Sequence, residues 1–366
     1  MSGQSDGSAG EGGDGAQSVH ILGGLPTEGV ACGFDRIREV FPVLSFAAFA
    51  GTELDEWAQT GVLLPPHTEP SQLVEGWEEC GYLAERFGRG AHIGSVTTLV
   101  DSSCLWDQLN SPEPISARGW GKNARDIRSV ADIAVGQIES ATHLLLVGGG
   151  LACKAIGRLL EVLNPGAAKL ELAKRSDAEL RDFLTRPRQA AGDPFASSAS
   201  VRRVPPWLDL LQSESVAPRS SDGFLYRRSR PFDPERFGDW LADPPRELVR
   251  GKGTVWFANR CDESLGYSCA GSVHRVFVSG RWWVSRGTSM WPTCEVARRR
   301  LFERWHPHFG DRRQEIAFAG IDLDADQICS HLDGCLLSEE EAIEVVSAPG
   351  RVAGRHADDS PRVGLH

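Results

Sequence analysis

The sequence predicts an α/β protein: a doubly wound parallel sheet in the first half, then a smaller α+β domain. Three observations carry this. Short apolar runs alternate with helical stretches over the first 170 or so residues, the pattern of strand–helix–strand units. The texture breaks near residue 185, where Pro and Ser accumulate. Beyond Phe224 the chain becomes rich in Trp and in strand-like segments. A length of 366 residues fits two domains at roughly 100–200 residues each.

In chain order, Ser18 to Leu22 is a short apolar run closed by Gly23 and Gly24, a buried strand entering a turn. The span 40–50 contains a second strand. Apolar positions at helical spacing predict one helix over 72–87, stopped by Gly88. His92 to Val100 reads as a strand ending at Asp101, and 127–141 as a helix with Ile127, Val130, Ile133, Ala134 and Ile138 on one face. His143 to Val147 is a buried strand closed by three glycines, and 154–163 a helix stopped by Asn164-Pro165. In the second half, 253–258 and 272–278 are strand-like. Ser279-Gly280 is read as a turn into 281–284, making a hairpin. A helix over 295–305, a strand over 314–319, a helix over 325–337 and a last helix capped by Ser338 follow. The expected organisation is a tail (1–18), a first domain (19–185), a Pro/Ser-rich linker (186–223) with a short amphipathic piece near Trp207, a second domain (224–348) and a tail (349–366).

Composition narrows the function. Apolar residues make up 41% and charged residues 24%, which is ordinary for a globular protein. The formal charge of −11 disfavours a polyanionic partner, so nucleic acid is not expected. No stretch reaches about 18 uninterrupted apolar residues, so no membrane association is expected. The first 18 residues hold six Gly and four Ser with no Lys or Arg, unlike a secretory signal. Nine Cys with no C-x-x-C argue against a disulfide framework, and a cytoplasmic location is expected.

A series of strings in the second half then narrows the reading. RPFDPERFGDWL (230–241), GKGTVWFANR (251–260), YSCAG (267–271), GRWW (280–283), WHPHFGDRRQEIAFAGIDLD (305–324) and LDGCLLSEEE (332–341) keep a fixed order and spacing. Together they resemble the C-terminal domain of the CobW family, P-loop GTPases associated with metal homeostasis and metal insertion. The resemblance spans about 110 residues of the second half.

The first half resembles the same family's GTPase domain in eroded form, which implies a degenerate P-loop-type sheet. A phosphate loop has the form G-x-x-x-x-G-K-[ST]. Here Gly24 and Gly29 keep the outer glycines, but the next two positions are Val30 and Ala31. The Lys for the β/γ-phosphates and the hydroxyl for Mg²⁺ are both missing. Glu28 places a carboxylate by a polyanion's seat, and Pro26 removes one amide donor. SVTTLVDSS (95–103) resembles the family strand that ends in an aspartate, and 125–147 resembles its helix and next strand. The family's N-K-x-D falls on Val147, Gly148, Gly149 and Gly150, so no carboxylate reads guanine. The family's C-x-C-C metal cluster is missing, since 50–75 contains no Cys. The segment RLLEVLNPGAA (158–168) matches the family's Leu-Asn-Pro stop.

Losing one transition-state contact costs several kcal/mol, roughly a hundredfold in rate. The resemblance implies GTP with Mg²⁺, and zinc, as family ligands. The missing residues leave no cofactor expected here, with Gly24 and Gly29 as remnant binding positions and no catalytic residue. The expected function is a non-catalytic binding or regulatory CobW-like protein in zinc or cobalt homeostasis, with a protein partner or metalloprotein client. One alternative is a divergent active GTPase drawing a substitute cation from Arg36, Arg38 or Lys122. Another is a metal-binding protein using Cys and His outside the family cluster.

Candidate ligand sets have bland readings beside them. Cys329, His331 and Cys335 lie close in sequence, but Cys329 and His331 differ by about 200° around a helix. Both Cys read as buried hydrophobes. His306 and His308 read as a surface loop, Cys261, Cys269 and His274 lack a zinc-site spacing, and His20 and His143 read as core residues. Arg227, Arg228 and Arg230 read as a solvated linker end, and Arg312, Arg313 and Glu315 as structural ion pairs. Of Trp256, Trp282, Trp283, Trp291 and Trp305, most are expected in the core and one or two on a partner surface.

Overall fold

A computed structural model describes residues 18–40, 42–45, 59–87, 92–149, 152–186 and 223–347. The expected tails and the linker, with its amphipathic piece near Trp207, lie outside the described residues. Two sheets organise the rest. The first has six strands, β1 (Ser18–Gly23), β2 (Val43–Ser45), β3 (Gln59–Leu63), β4 (His92–Asp101), β5 (His143–Val147) and β6 (Ala168–Glu171), in the order β2-β3-β1-β4-β5-β6. Every pairing is parallel.

Its helices cover both faces, as a doubly wound sheet requires. These are α1 (Glu28–Val40), α2 (Pro70–Glu79), α3 (Tyr82–Phe87), α4 (Leu105–Leu109), α5 (Val130–Ser140), α6 (Ala152–Leu163) and α7 (Asp177–Thr185). On one face α1 and α7 bury Val30, Phe34, Ile37, Leu180 and Phe183 against Leu22, Leu99, Leu145 and Val147. On the other, α5 and α6 pack Ile133, Ile138, Leu159 and Leu163 on Val100, Leu144 and Leu146.

The second sheet is antiparallel: β7 (Gly223–Arg228), β8 (Leu248–Val255), β9 (Glu263–Ala270), β10 (Val273–Arg281) and β11 (Gln314–Gly320), ordered β10-β9-β8-β11-β7. Its helices are α8 (Pro234–Ala242), α9 (Glu295–Glu303), α10 (Ala325–Gly334) and α11 (Glu339–Ser347). One sheet face packs an aromatic core of Phe224, Tyr226, Phe232, Phe237, Tyr267 and Phe318. The other contributes Val249, Ala270, Ala317 and Ala319 to the cluster that holds α5 and α6. Arg250, almost fully buried, binds Glu139 of α5 through Nε at 2.6 Å and Nη2 at 3.2 Å. A Cβ at Gly271 (φ 51°) would strike the Leu109 carbonyl, so the β9–β10 turn lies flush against α4.

Local chemistry fixes the boundaries. Ser129 and Asp132 form a capping box on α5, and Ser176 with Glu179 on α7. Asn164 donates to the carbonyls of Ile138 and Ala141 at 2.8 Å each, tying the Leu-Asn-Pro stop to the end of α5.

Several expectations need correction. The helix expected over 72–87 is two, broken at Cys80 and Gly81, which has φ 66°. Ile127 precedes α5 and is 68% exposed, because the Ser129 cap starts the helix later. Gly280 is not a hairpin turn: β10 runs through it with a register shift, and the hairpin turns at Gly271. Arg227, Arg228 and Arg230 are not a solvated linker end. Arg227 binds Glu315, Arg228 binds Asp333 at 2.6 Å, and Arg230 donates to the Leu337 carbonyl at 2.8 Å.

Candidate nucleotide site

In an open α/β sheet, ligands bind beyond the carboxyl ends of the strands where the strand order reverses. Here that point lies between β1 and β4. The β1 loop carries Gly24 and Gly29, and α1 begins at Glu28, inside the glycine pair. A Cβ at Gly24 would come 2.9 Å from the Leu99 carbonyl, so the loop is pressed against β4.

The crevice is held by Asp101, the last residue of β4 and only 6% exposed. Its Oδ2 accepts from Thr27 Oγ1 at 2.8 Å, and its Oδ1 from Ser103 Oγ at 2.6 Å and Ser103 N at 3.0 Å. Thr27 Oγ1 in turn accepts from Val30 N at 3.0 Å, capping α1. A Cβ built on Gly29 would come 2.5 Å from Asp101 Oδ2, and one on Gly148 would come 3.5 Å from Oδ1. The carboxylate therefore lies between the two glycine-bearing loops, against the first turn of α1. Burial opposes its ionisation, but the Ser103 and Thr27 donors prevail and hold Asp101 below the usual carboxylate range.

A helix N-terminus favours one anion, and here the chain supplies it. Val30, where the resemblance places the phosphate-binding Lys, is 2% exposed and packs with Leu22, Leu99 and Val147. Ala31 and Glu28 face solvent. After β5, Gly148 has φ 94° and its neighbour Gly149 has no side chain to read a base. The residues present do not fit a magnesium–guanosine triphosphate complex: Val30 and Ala31 offer neither a cation nor a hydroxyl from the loop, and Gly148 and Gly149 offer no carboxylate to the base.

Of the substitute cations, Arg36 and Arg38 are engaged in ion pairs. Arg36 pairs with Asp177 and Glu39, and Arg38 with Asp35. Lys122 lines an open cleft of about 660 Å³ with Arg125, Asp126 and Arg128, between α4 and α5. Asp101 was legible as a strand end. Its part in filling the crevice was missed, although D-S-S after a strand is an Asx-turn signal and Thr27 stands at a helix cap position.

The candidate metal ligands are dispersed. Cys329 and Cys335 are buried while His331 is exposed, and the Cys335 thiol donates to the His331 and Arg236 carbonyls. Burial pushes Cys261, Cys269 and Cys335 up to about 11, away from thiolate ligation. His306 Nδ1 accepts from the amides of His308 and Phe309, and its ring stacks on Phe309. His20, His143 and His274 are buried, and desolvation lowers each to about 4. They bond Ser95, Thr142 and Tyr267 respectively, at 2.8 Å. Among the described residues no three His, Cys, Asp or Glu side chains group as a metal site. Arg313 and Glu315 form the expected ion pair, whereas Arg312 mainly braces the Cys261 carbonyl and Ser285.

Residues 221–336 match the model of the cobalamin synthesis protein CobW C-terminal domain. That segment is similar to a CobW C-terminal domain. Its aromatic core holds the motif residues Phe232, Phe237 and Trp240 of β7–α8 and Tyr267 of β9. The chain is 26% identical over 262 residues to zinc-regulated GTPase metalloprotein activator 1 of Dictyostelium discoideum, covering 69% of this chain and 53% of that protein. It is 29% identical over 227 residues to zinc chaperone Rv0106 of Mycobacterium tuberculosis, covering 59% and 52%. Both alignments are longer than the CobW C-terminal domain and so extend into the first half. The chain spans about half the length of the curated relatives it matches. The Zn(II)-bound YjiA GTPase from E. coli superimposes with a TM-score of 0.33 at 13% identity, over 88% of this chain and 99% of that chain. No helix among the described residues is long and apolar enough to cross a membrane.

Proposed function

We propose that this protein is a CobW-type member of zinc or cobalt homeostasis whose first domain is a pseudo-GTPase. It works in the cytoplasm as a non-catalytic binding or regulatory module, delivering its effect through the CobW C-terminal domain to a protein partner or metalloprotein client. The observation that carries this reading is Val30, which stands where the resemblance places the phosphate-binding Lys and is packed in the core with Leu22, Leu99 and Val147. Phosphoryl transfer needs cations at that spot to spread the developing charge. Val30, locked in the core, supplies none.

The names of the relatives support a metal context, and the retained sheet keeps a rigid platform for the second domain. The decisive experiment is titration of the purified chain with GTP and GDP in Mg²⁺, with and without Zn²⁺, alongside a phosphate-release assay. No heat of nucleotide binding and no turnover is the expected result. Micromolar affinity with turnover would replace this reading with that of a divergent active GTPase.

A further inference from the structure

Helix α9 (Glu295–Glu303) buries none of its side chains, in a protein whose other long helices each cover a core. Its sequence EVARRRLFE places three arginines in a row. Arg299 pairs with Glu295, while Arg298 and Arg300 make no ion pair with any described residue. Beside them, Trp291, Phe302 and Trp305 form a surface cluster with ring centroids 5.1 to 5.5 Å apart. Phe302 is 39% exposed, and the flanking Met290 and Val296 are 66% and 58% exposed.

Positive charge continues past the end of the helix. Arg304, its C-cap residue, shares the buried Glu315 carboxylate with Arg227 and Arg313. Three guanidiniums on one carboxylate leave two positive charges unbalanced. This concentration stands out on a chain whose formal charge is −11.

We infer that the α9 face, with its aromatic cluster and arginine rim, is a docking surface for an acidic protein segment carrying apolar side chains. The occupant follows from charge complementarity. Trp and Arg are the residues that dominate protein interfaces, with apolar anchors at the centre and charge at the rim. The apolar cluster would take the segment's aliphatic or aromatic side chains. Arg298, one turn before Phe302 on the helix, and the Arg304 group would meet its carboxylates, steering approach and fixing register. A nucleic acid fits less well. The three rings are inclined to one another by 46° to 61°, so they offer no parallel faces for stacked bases. The protein's overall charge also repels a long phosphate chain. This surface lies outside the nucleotide crevice, and its role is independent of whether the first domain binds GTP.

The test uses the full chain and fluorescein-labelled 16-residue peptides, read by fluorescence anisotropy. One peptide alternates Glu and Asp with Leu and Phe, a second replaces its acids with Lys, and a third keeps the acids but replaces Leu and Phe with Ser and Gly. An oligothymidylate of 15 nucleotides serves as the other polyanion. Binding of the first peptide at least about tenfold tighter than the rest is expected, and it weakens with added salt. Arg298→Glu and, separately, Phe302→Ser should each weaken it about tenfold or more. The arginine variant should melt at the wild-type temperature, because α9 buries no side chain, and Phe302→Ser, which loses two ring contacts, only a few degrees lower. Equal affinity for the lysine peptide, preference for the oligothymidylate, or no effect of either variant would overturn the proposal.

Discussion

Replacing Asp101 tests whether its carboxylate fastens the crevice shut. The side chain accepts three hydrogen bonds, from Thr27 Oγ1, Ser103 Oγ and Ser103 N. Bonds to an ionised acceptor contribute roughly 1.5–3 kcal/mol each. Their sum overstates the loss, because Ser103 is exposed and Thr27 half-exposed, so both recover water as a partner. Removing the buried charge also relieves its desolvation. Asp101→Ala should therefore destabilise by about 2–4 kcal/mol, and Asp101→Asn, which keeps the shape and one acceptor, by about 1–2 kcal/mol. For a first domain of about 170 residues melting as a unit, that is a fall in Tm of roughly 5–12 °C for the alanine variant. The pH dependence gives a second reading. The folded-state pKa of Asp101 is lowered, so its contribution is fully present above the unfolded-state value and is lost as pH falls through the folded one. The gap in Tm between wild type and Asp101→Asn, followed by circular dichroism, should hold constant from pH 7 to pH 5 and close only in stronger acid. A gap of under about 1 °C at pH 7, or one that closes between pH 7 and pH 5.5, would refute the reasoning.

Two further outcomes follow from buried charge. Glu139→Ala strands the almost fully buried Arg250 guanidinium between the two sheets. It should cost about 3–5 kcal/mol in urea unfolding, while Glu139→Leu/Arg250→Met should lie closer to wild type. His20, His143 and His274 stay neutral when folded, with pKa lowered by desolvation to about 4. Their folded values lie below the unfolded ones, so the unfolded chain takes up more protons between about pH 6.5 and 4. Stability should fall as pH drops through that window, by on the order of 1–2 kcal/mol per imidazole at pH 5. A Tm that rises on acidification from pH 7 to pH 5 would contradict it.

Much of this architecture was legible in the sequence, and the gaps have physical causes. Val19, Ile21 and Leu22, the run at 143–147 and the strand at 314–320 are buried on both faces, so continuous apolar runs announced them. β3 (QTGVL), β6 (AKLE) and β9 (ESLGYSCA) escaped notice because glycine or charge interrupts their apolar pattern, and only pairing in the sheet makes them strands. Gly280 looked like a turn because glycine and serine adjoin there, yet β9 pairs on past it. At the site, the losses at Val30 and 148–149 could be read residue by residue. The Thr27–Asp101 bond could not, because its partners are 74 residues apart and meet only when β1 and β4 pair.

The central claim is that a loop with core-packed Val30 in place of a lysine holds no triphosphate. Isothermal calorimetry of the intact protein with GTP and Mg²⁺ tests it most directly. The account predicts a featureless titration up to millimolar nucleotide. A saturable isotherm with micromolar Kd would contradict it.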